Sequence, residues 1–122
     1  MKSQRQHLGA YGENLALRHY LDNGAEFLDR NVSYDCGEID IIVRTLSGSL
    51  AFVEVKTRRG EEFGAAEAVD RRKIRRMRHA AAKWLDGKPF VPVQFDVVTV
   101  IVDPPSGDSE ITVFEDVEHG SW

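Results

Sequence analysis

Two β-rich runs only five residues apart constrain this chain most: Ile39-Asp40-Ile41-Ile42-Val43-Arg44 and Leu50-Ala51-Phe52-Val53-Glu54-Val55-Lys56. Ser47-Gly48 offers a turn between them, so the pair predicts a β-hairpin. Side chains alternate faces along a strand, which puts Glu54 and Lys56 on one face and Val53 and Val55 on the other. Asp40 is likewise a single charge framed by isoleucines. If the turn pairs Arg44 with Leu50, the same register sets Asp40 opposite Glu54, with Cβ atoms roughly 5 Å apart. Ile42 and Phe52 share that face, so the charges are expected in a half-buried setting.

Two carboxylates facing each other destabilise a sheet unless something neutralises them, and a hard divalent cation does so. Mg²⁺ commonly takes one or two protein carboxylates and keeps several waters. Asp40, Glu54 and the main-chain carbonyl of Val55 would suffice as ligands. Such a metal would polarise a phosphodiester and acidify a water, while Lys56 would orient that water or offset charge developing on the phosphate. The competing expectation is an ordinary cross-strand salt bridge on a solvated sheet face.

Around the hairpin, residues 3–22 read as a helix ending at Asn23-Gly24, with Leu8, Tyr11, Leu15, Ala16 and Tyr20 as its apolar stripe. Glu13 lies on that stripe, because Ala16, Leu17 and Tyr20 follow it by three, four and seven residues. It is expected to face inward as a further catalytic carboxylate, the alternative being a residue that complements the helix dipole. Residues 25–33 read as a short extended piece and residues 63–66 as loop. Residues 68–86 predict a second helix on Ile74, Met77, Ala81 and Trp84, stopped by Gly87 before Pro89. Residues 91–102 offer a long strand, and residues 111–114 a short one beyond the Pro104-Pro105-Ser106-Gly107 turn. The expected fold is α/β, a central mixed sheet flanked by helices in the order α-β-β-α-β-β. One domain is expected over residues 1–122, with its core at about 9–102 and a C-terminal strand and tail at 103–122.

The net charge of −4 conceals an asymmetry: residues 56–88 carry 11 Lys/Arg against 5 Asp/Glu, and the remainder 5 against 15. One basic segment on an acidic body can focus a polyanion onto one face. Arg58, Arg59, Arg71, Arg72, Lys73, Arg75 and Arg76 are the candidate phosphate contacts, against the plainer reading of a solvated helix face. Glu38, Gln94 and Asp96 are accessory candidates, Glu38 beside the carboxylate pair and Gln94 as a group able to position water or phosphate. Hydrogen bonding within the sheet would account for Gln94 and Asp96 equally well. Four scattered histidines give no zinc spacing. Trp84 is expected in the core and Trp122 at a mobile end. A lone Cys36 permits no intramolecular disulfide, and no stretch reaches the roughly 18 apolar residues of a membrane span. A soluble protein of the reducing cytoplasm is expected.

With these residues in view, the chain closely resembles the bacterial YraN-like family of predicted endonucleases, within the restriction-endonuclease-like superfamily. The resemblance rests on Gly12-Glu13 with Ala16, Gly37-Glu38-Ile39-Asp40, Phe52-Val53-Glu54-Val55-Lys56-Thr57-Arg58, Arg72-Lys73 with Arg75-Arg76, and Phe95-Asp96-Val97-Val98. The sequence departs from the usual pattern at Asn31-Val32-Ser33, at Gln94 and in its last five residues. The resemblance implies a PD-(D/E)xK-type core similar to that of archaeal Holliday-junction resolvases. Asp40, Glu54 and Lys56 then hold the catalytic positions, with Glu13 as the helix carboxylate. The expected activity is Mg²⁺- or Mn²⁺-dependent hydrolysis of DNA, with branched or recombination intermediates as candidate substrates and a homodimer left open. The alternative is a non-catalytic nucleic-acid-binding adaptor that keeps the fold.

Overall fold

The computed structural model describes residues 4–60, 71–103 and 106–117. The expectations for residues 63–66, for the start of the second helix near residue 68, for Pro104-Pro105 and for the last five residues fall outside these. The elements are α1 (Gln4–Asp22), β1 (Glu26–Tyr34), β2 (Gly37–Arg44), β3 (Leu50–Arg59), α2 (Arg71–Leu85), β4 (Val93–Val102) and β5 (Ser109–Phe114). The fold is the mixed α/β arrangement expected, consistent with a restriction-endonuclease-like core, but with one more strand: α-β-β-β-α-β-β. The extra strand is β1, expected only as a short extended piece. A register shift between Phe27 and Asp29 and a left-handed Asn31, at φ 53°, break its alternation and hide it from a period-two reading.

The strands form one sheet in sequence order. β1, β2 and β3 run antiparallel as a meander, β3 and β4 are parallel and joined through α2, and β5 returns antiparallel on β4. Arg44 pairs with Leu50 as expected, the turn being closed by Thr45 N–H to Ser49 O at 2.8 Å and by Gly48 at φ 96°.

Each helix covers one face. Under α1 lie Ile41, Val43, Ala51, Val53, Val55, Val98 and Val100, packed with its Ala16 and Tyr20. Under α2 lie Ile42, Phe52, Phe95 and Val97, packed with Ile74, Met77, Ala80 and Ala81. Phe52 is fully buried and stacks on Phe95 at 5.6 Å, with Trp84 edge-on at 5.9 Å. Trp84 also donates its indole N–H to Asp29 Oδ2 at 3.1 Å, tying α2 to β1 at its irregularity. The helix ends are set locally. α1 stops in a Schellman turn, with Ala25 N–H to Tyr20 O, Gly24 N–H to Leu21 O and Gly24 at φ 89°. Two close approaches fix how the helices sit. A Cβ at Gly12 would fall on the Thr57 side chain, and one at Gly37 on the main-chain carbonyl of Arg76.

Candidate active site

β3 is paired with β2 only up to Val53, whereas its parallel pairing with β4 continues to Arg59. The two antiparallel strands therefore part where Asp40 and Glu54 would next have met. Asp40 bridges the gap with its side chain: Oδ2 accepts the Val55 N–H at 2.8 Å, taking the place of a main-chain acceptor. Within a strand the N–H and C=O of one residue point to the same side, so the Val55 carbonyl faces this gap as well.

Glu54 is buried, with 3% of its surface exposed. Its Oε1 lies 3.4 Å from Lys73 Nζ and 3.7 Å from Lys56 Nζ, while Oε2 is buried with no hydrogen-bond partner. Lys73 Nζ also lies 3.5 Å from Glu38 Oε1, at the exposed mouth of the site. Three carboxylates and two ammonium groups thus meet where β2, β3 and α2 converge. Burial pushes the Glu54 carboxyl up to about 7, and repulsion from Asp40 adds to this against the attraction of Lys73 and Lys56. Burial also raises Asp40, held back by its bond from Val55 N–H, by Lys73 and by contact with Glu54. Burial works against the Lys73 charge, but Glu54, Glu38 and Asp40 outweigh it and raise that ammonium.

Asp40, Glu54, Lys56 and the Val55 main chain lie close together, although the expected ladder pairing of Asp40 with Glu54 is not formed, and Glu38 joins them. Glu13 has a different partner: its carboxylate takes the Arg30 guanidinium at 3.4 Å, and Asn14 holds the same guanidinium at 3.0 Å. Among the described residues no three His, Cys, Asp or Glu side chains gather closely enough to cage a metal by themselves. The donor set nonetheless fits Mg²⁺ or Mn²⁺, because two carboxylates, one with an orphaned buried oxygen, satisfy an ion that keeps most of its waters.

Gln94 and Asp96 lie elsewhere. Asp96 pairs in register with Val53, so it points to the α1 face, away from Glu54. It is fully buried and satisfied there by Tyr20 Oη at 2.7 Å, Gln94 Nε2 at 3.0 Å and Asp116 N–H at 2.9 Å. Burial raises the Tyr20 hydroxyl, and the Asp96 carboxylate it bonds raises it further. This network ties α1, β4 and the turn after β5 together, and the hydrogen bonding within the sheet expected of the pair is present.

Arg71, Arg72, Arg75 and Arg76 are exposed along α2, Arg59 is exposed at the end of β3, and Arg58 bonds the Thr57 carbonyl at 3.0 Å. Lys73 parts from this group by turning inward to the carboxylates. The signal was present in the sequence: Lys73 precedes Met77 by four residues and Ala80 by seven, which places it on the buried stripe of the helix.

Every residue of this cluster falls within residues 12–100, which match the model of the uncharacterised protein family UPF0102. The chain belongs to that family. It is the YraN-like family that the motifs resemble. The chain is 60% identical over 121 residues to a UPF0102 protein of Corynebacterium glutamicum, covering 99% of each. Identity is 50% over 121 residues, again 99% of each, to one from Corynebacterium efficiens. A UPF0102 protein of Frankia alni is 48% identical over 103 residues, covering 82% of this chain and 84% of its relative. Among the described residues no helix is long and apolar enough to cross a membrane.

Proposed function

We propose that this UPF0102 protein is a Mg²⁺- or Mn²⁺-dependent endonuclease of the cytoplasm that hydrolyses DNA phosphodiester bonds, with branched DNA as its candidate substrate. One observation carries the reading: a buried carboxylate with an unpartnered oxygen, Glu54, and the half-buried Asp40 lie beside two ammonium groups where β2 and β3 part. Burying such a pair is costly, and structures keep it where the charge is used or compensated. When bound, the ion supplies Lewis-acid polarisation of the phosphodiester and an acidified water.

The chain's own residues do the rest. Asp40 and Glu54 hold the cation, with the Val55 carbonyl as a neutral third donor. The bond from Val55 N–H fixes the Asp40 rotamer, so one ligand is oriented in advance. Lys56, with 23% of its side chain exposed, can reach a phosphate entering from solvent and offset the charge that develops on it. The exposed arginines of α2 supply the sequence-independent grip on the backbone.

The test is a cleavage panel of linear, flapped and four-way DNA with Mg²⁺ or Mn²⁺, run beside Lys56→Ala. Metal-dependent nicking by the unaltered protein alone supports the enzyme. Tight binding of branched DNA with no cleavage of any substrate would replace it with the adaptor reading, in which the same fold and basic helix bind without hydrolysis.

A further inference from the structure

Lys73 differs from every other cation of α2. Arg71, Arg72, Arg75 and Arg76 are exposed, whereas Lys73 stands on the stripe that continues through Met77 and Ala80. Its ammonium lies between Glu54 Oε1 at 3.4 Å and Glu38 Oε1 at 3.5 Å. It therefore occupies one flank of the carboxylate pair to which the proposed metal would bind. A dication joining Glu54 would lie within a few ångströms of both Lys56 and Lys73, and unscreened like charges at that range repel strongly in a half-buried site.

We propose that Lys73 is the resident cation of the Asp40–Glu54 pair and is displaced from Glu54 toward Glu38 when a divalent metal binds; the inference rests on the metal-site reading above. Three features favour movement of Lys73. Lys56 shares β3 with Glu54 and is held to it by the strand itself. Lys73 instead reaches in on a four-carbon stem and already has a second anchor in Glu38, whose side chain is 53% exposed at the mouth of the site. The helix beneath it packs directly on the strand, the Arg76 backbone lying against Gly37 with no room for a Cβ between them, so withdrawing the helix would break that packing whereas moving the side chain would not. The side chain is the movable part, and it keeps its Glu38 partner when it leaves Glu54. The metal-free cluster is thereby kept compensated until the ion arrives, and loading turns Lys73 outward to join the basic ridge of α2.

Two measurements on the full chain test this. Calorimetric titration of Mn²⁺ should show Lys73→Met binding about tenfold more tightly than the unaltered protein, because a competing charge is gone. In the unaltered protein, acetylation of Lys73 followed by peptide mass spectrometry should speed up several-fold on adding saturating Mg²⁺, with the exposed Lys83 as an unchanged reference. Equal or weaker Mn²⁺ binding by a folded Lys73→Met would overturn the displacement and leave the metal site standing. Absence of Mn²⁺ binding by both proteins would remove the metal reading and this inference together. Should Lys73→Met not fold, the acetylation rates alone decide, and rates unchanged or slowed by Mg²⁺ refute the exchange.

Discussion

Replacing Glu54 by Gln removes a residue that contacts two ammonium groups, and the usual expectation is a loss of stability. The structure predicts the reverse in the metal-free protein at alkaline pH. The Glu54 carboxyl rises from an ordinary 4.5 to about 7 on folding, a shift already net of the attraction from Lys73 and Lys56. A carboxyl raised in this way contributes stability that is fully present below about 4.5 and is lost as pH rises through about 7, because the folded state there holds a proton that the unfolded state has released. At about 1.4 kcal/mol per pH unit, the loss amounts to about 3 kcal/mol. Gln has the shape of the neutral carboxyl and does not titrate. Glu54→Gln should therefore exceed the unaltered protein by about 3 kcal/mol near pH 8.5, and by less than about 1 kcal/mol near pH 5. Urea unfolding in the presence of EDTA, with linear extrapolation at both pH values, measures this. Saturating Mg²⁺ should reverse the order at alkaline pH by stabilising only the protein that retains the ligand. A Glu54→Gln protein clearly less stable than the unaltered one near pH 8.5 in EDTA would show that the ion pairs outweigh the desolvation, and would refute the account of the site as a strained, metal-seeking cluster.

Lys56→Ala should retain DNA binding, measured by anisotropy, yet lose cleavage by one to several orders of magnitude, because it removes a group that acts on developing charge while leaving both carboxylates in place. Joint replacement of Arg72, Arg75 and Arg76 by Ala should weaken DNA binding and flatten its salt dependence, the slope of log affinity against log salt falling by roughly 2 to 3. Gly37→Ala should cost about 1–3 kcal/mol in urea unfolding through collision with the Arg76 carbonyl, whereas Gly9→Ala, on a helix with nothing within 4 Å of the added carbon, should stabilise by up to about 1 kcal/mol.

Much of this arrangement could be read in advance wherever one periodicity decided the matter. The hairpin register follows from the Ser47-Gly48 turn and from alternation along β2 and β3, and it carries Asp40, Glu54 and Lys56 with it. What escaped were cases where position along an element was legible but the partner was not. Helical spacing put Glu13 on the inner side of α1, but only the register of β1, a strand hidden by its irregularity, brings Arg30 beneath it. Alternation put Gln94 and Asp96 on one face of β4, but the face could be named only after parallel pairing had aligned Asp96 with Val53. Lys73 was obscured by its neighbours, since a run of six basic residues in eight invites one common role.

The motifs behind the family resemblance have a shared physical logic that no single position reveals. Among the described glycines, Gly12 and Gly37 stand where helix and sheet approach too closely for a Cβ, Gly12 bringing α1 onto Thr57 and Gly37 bringing β2 onto the backbone of α2. Each is followed at once by a glutamate. The tight contact fixes the depth at which that acid stands, so Glu13 meets Arg30 on one side of the sheet and Glu38 meets Lys73 on the other. A Cβ at Gly37 would collide with the Arg76 backbone and push β2 and α2 apart, and one at Gly12 would collide with the Thr57 side chain. The glycines thus act on the electrostatics through packing. On the α2 side this sets the distance from Lys73 to Glu54, which is why Gly37→Ala should disturb Mn²⁺ affinity as well as stability, although Gly37 touches no carboxylate.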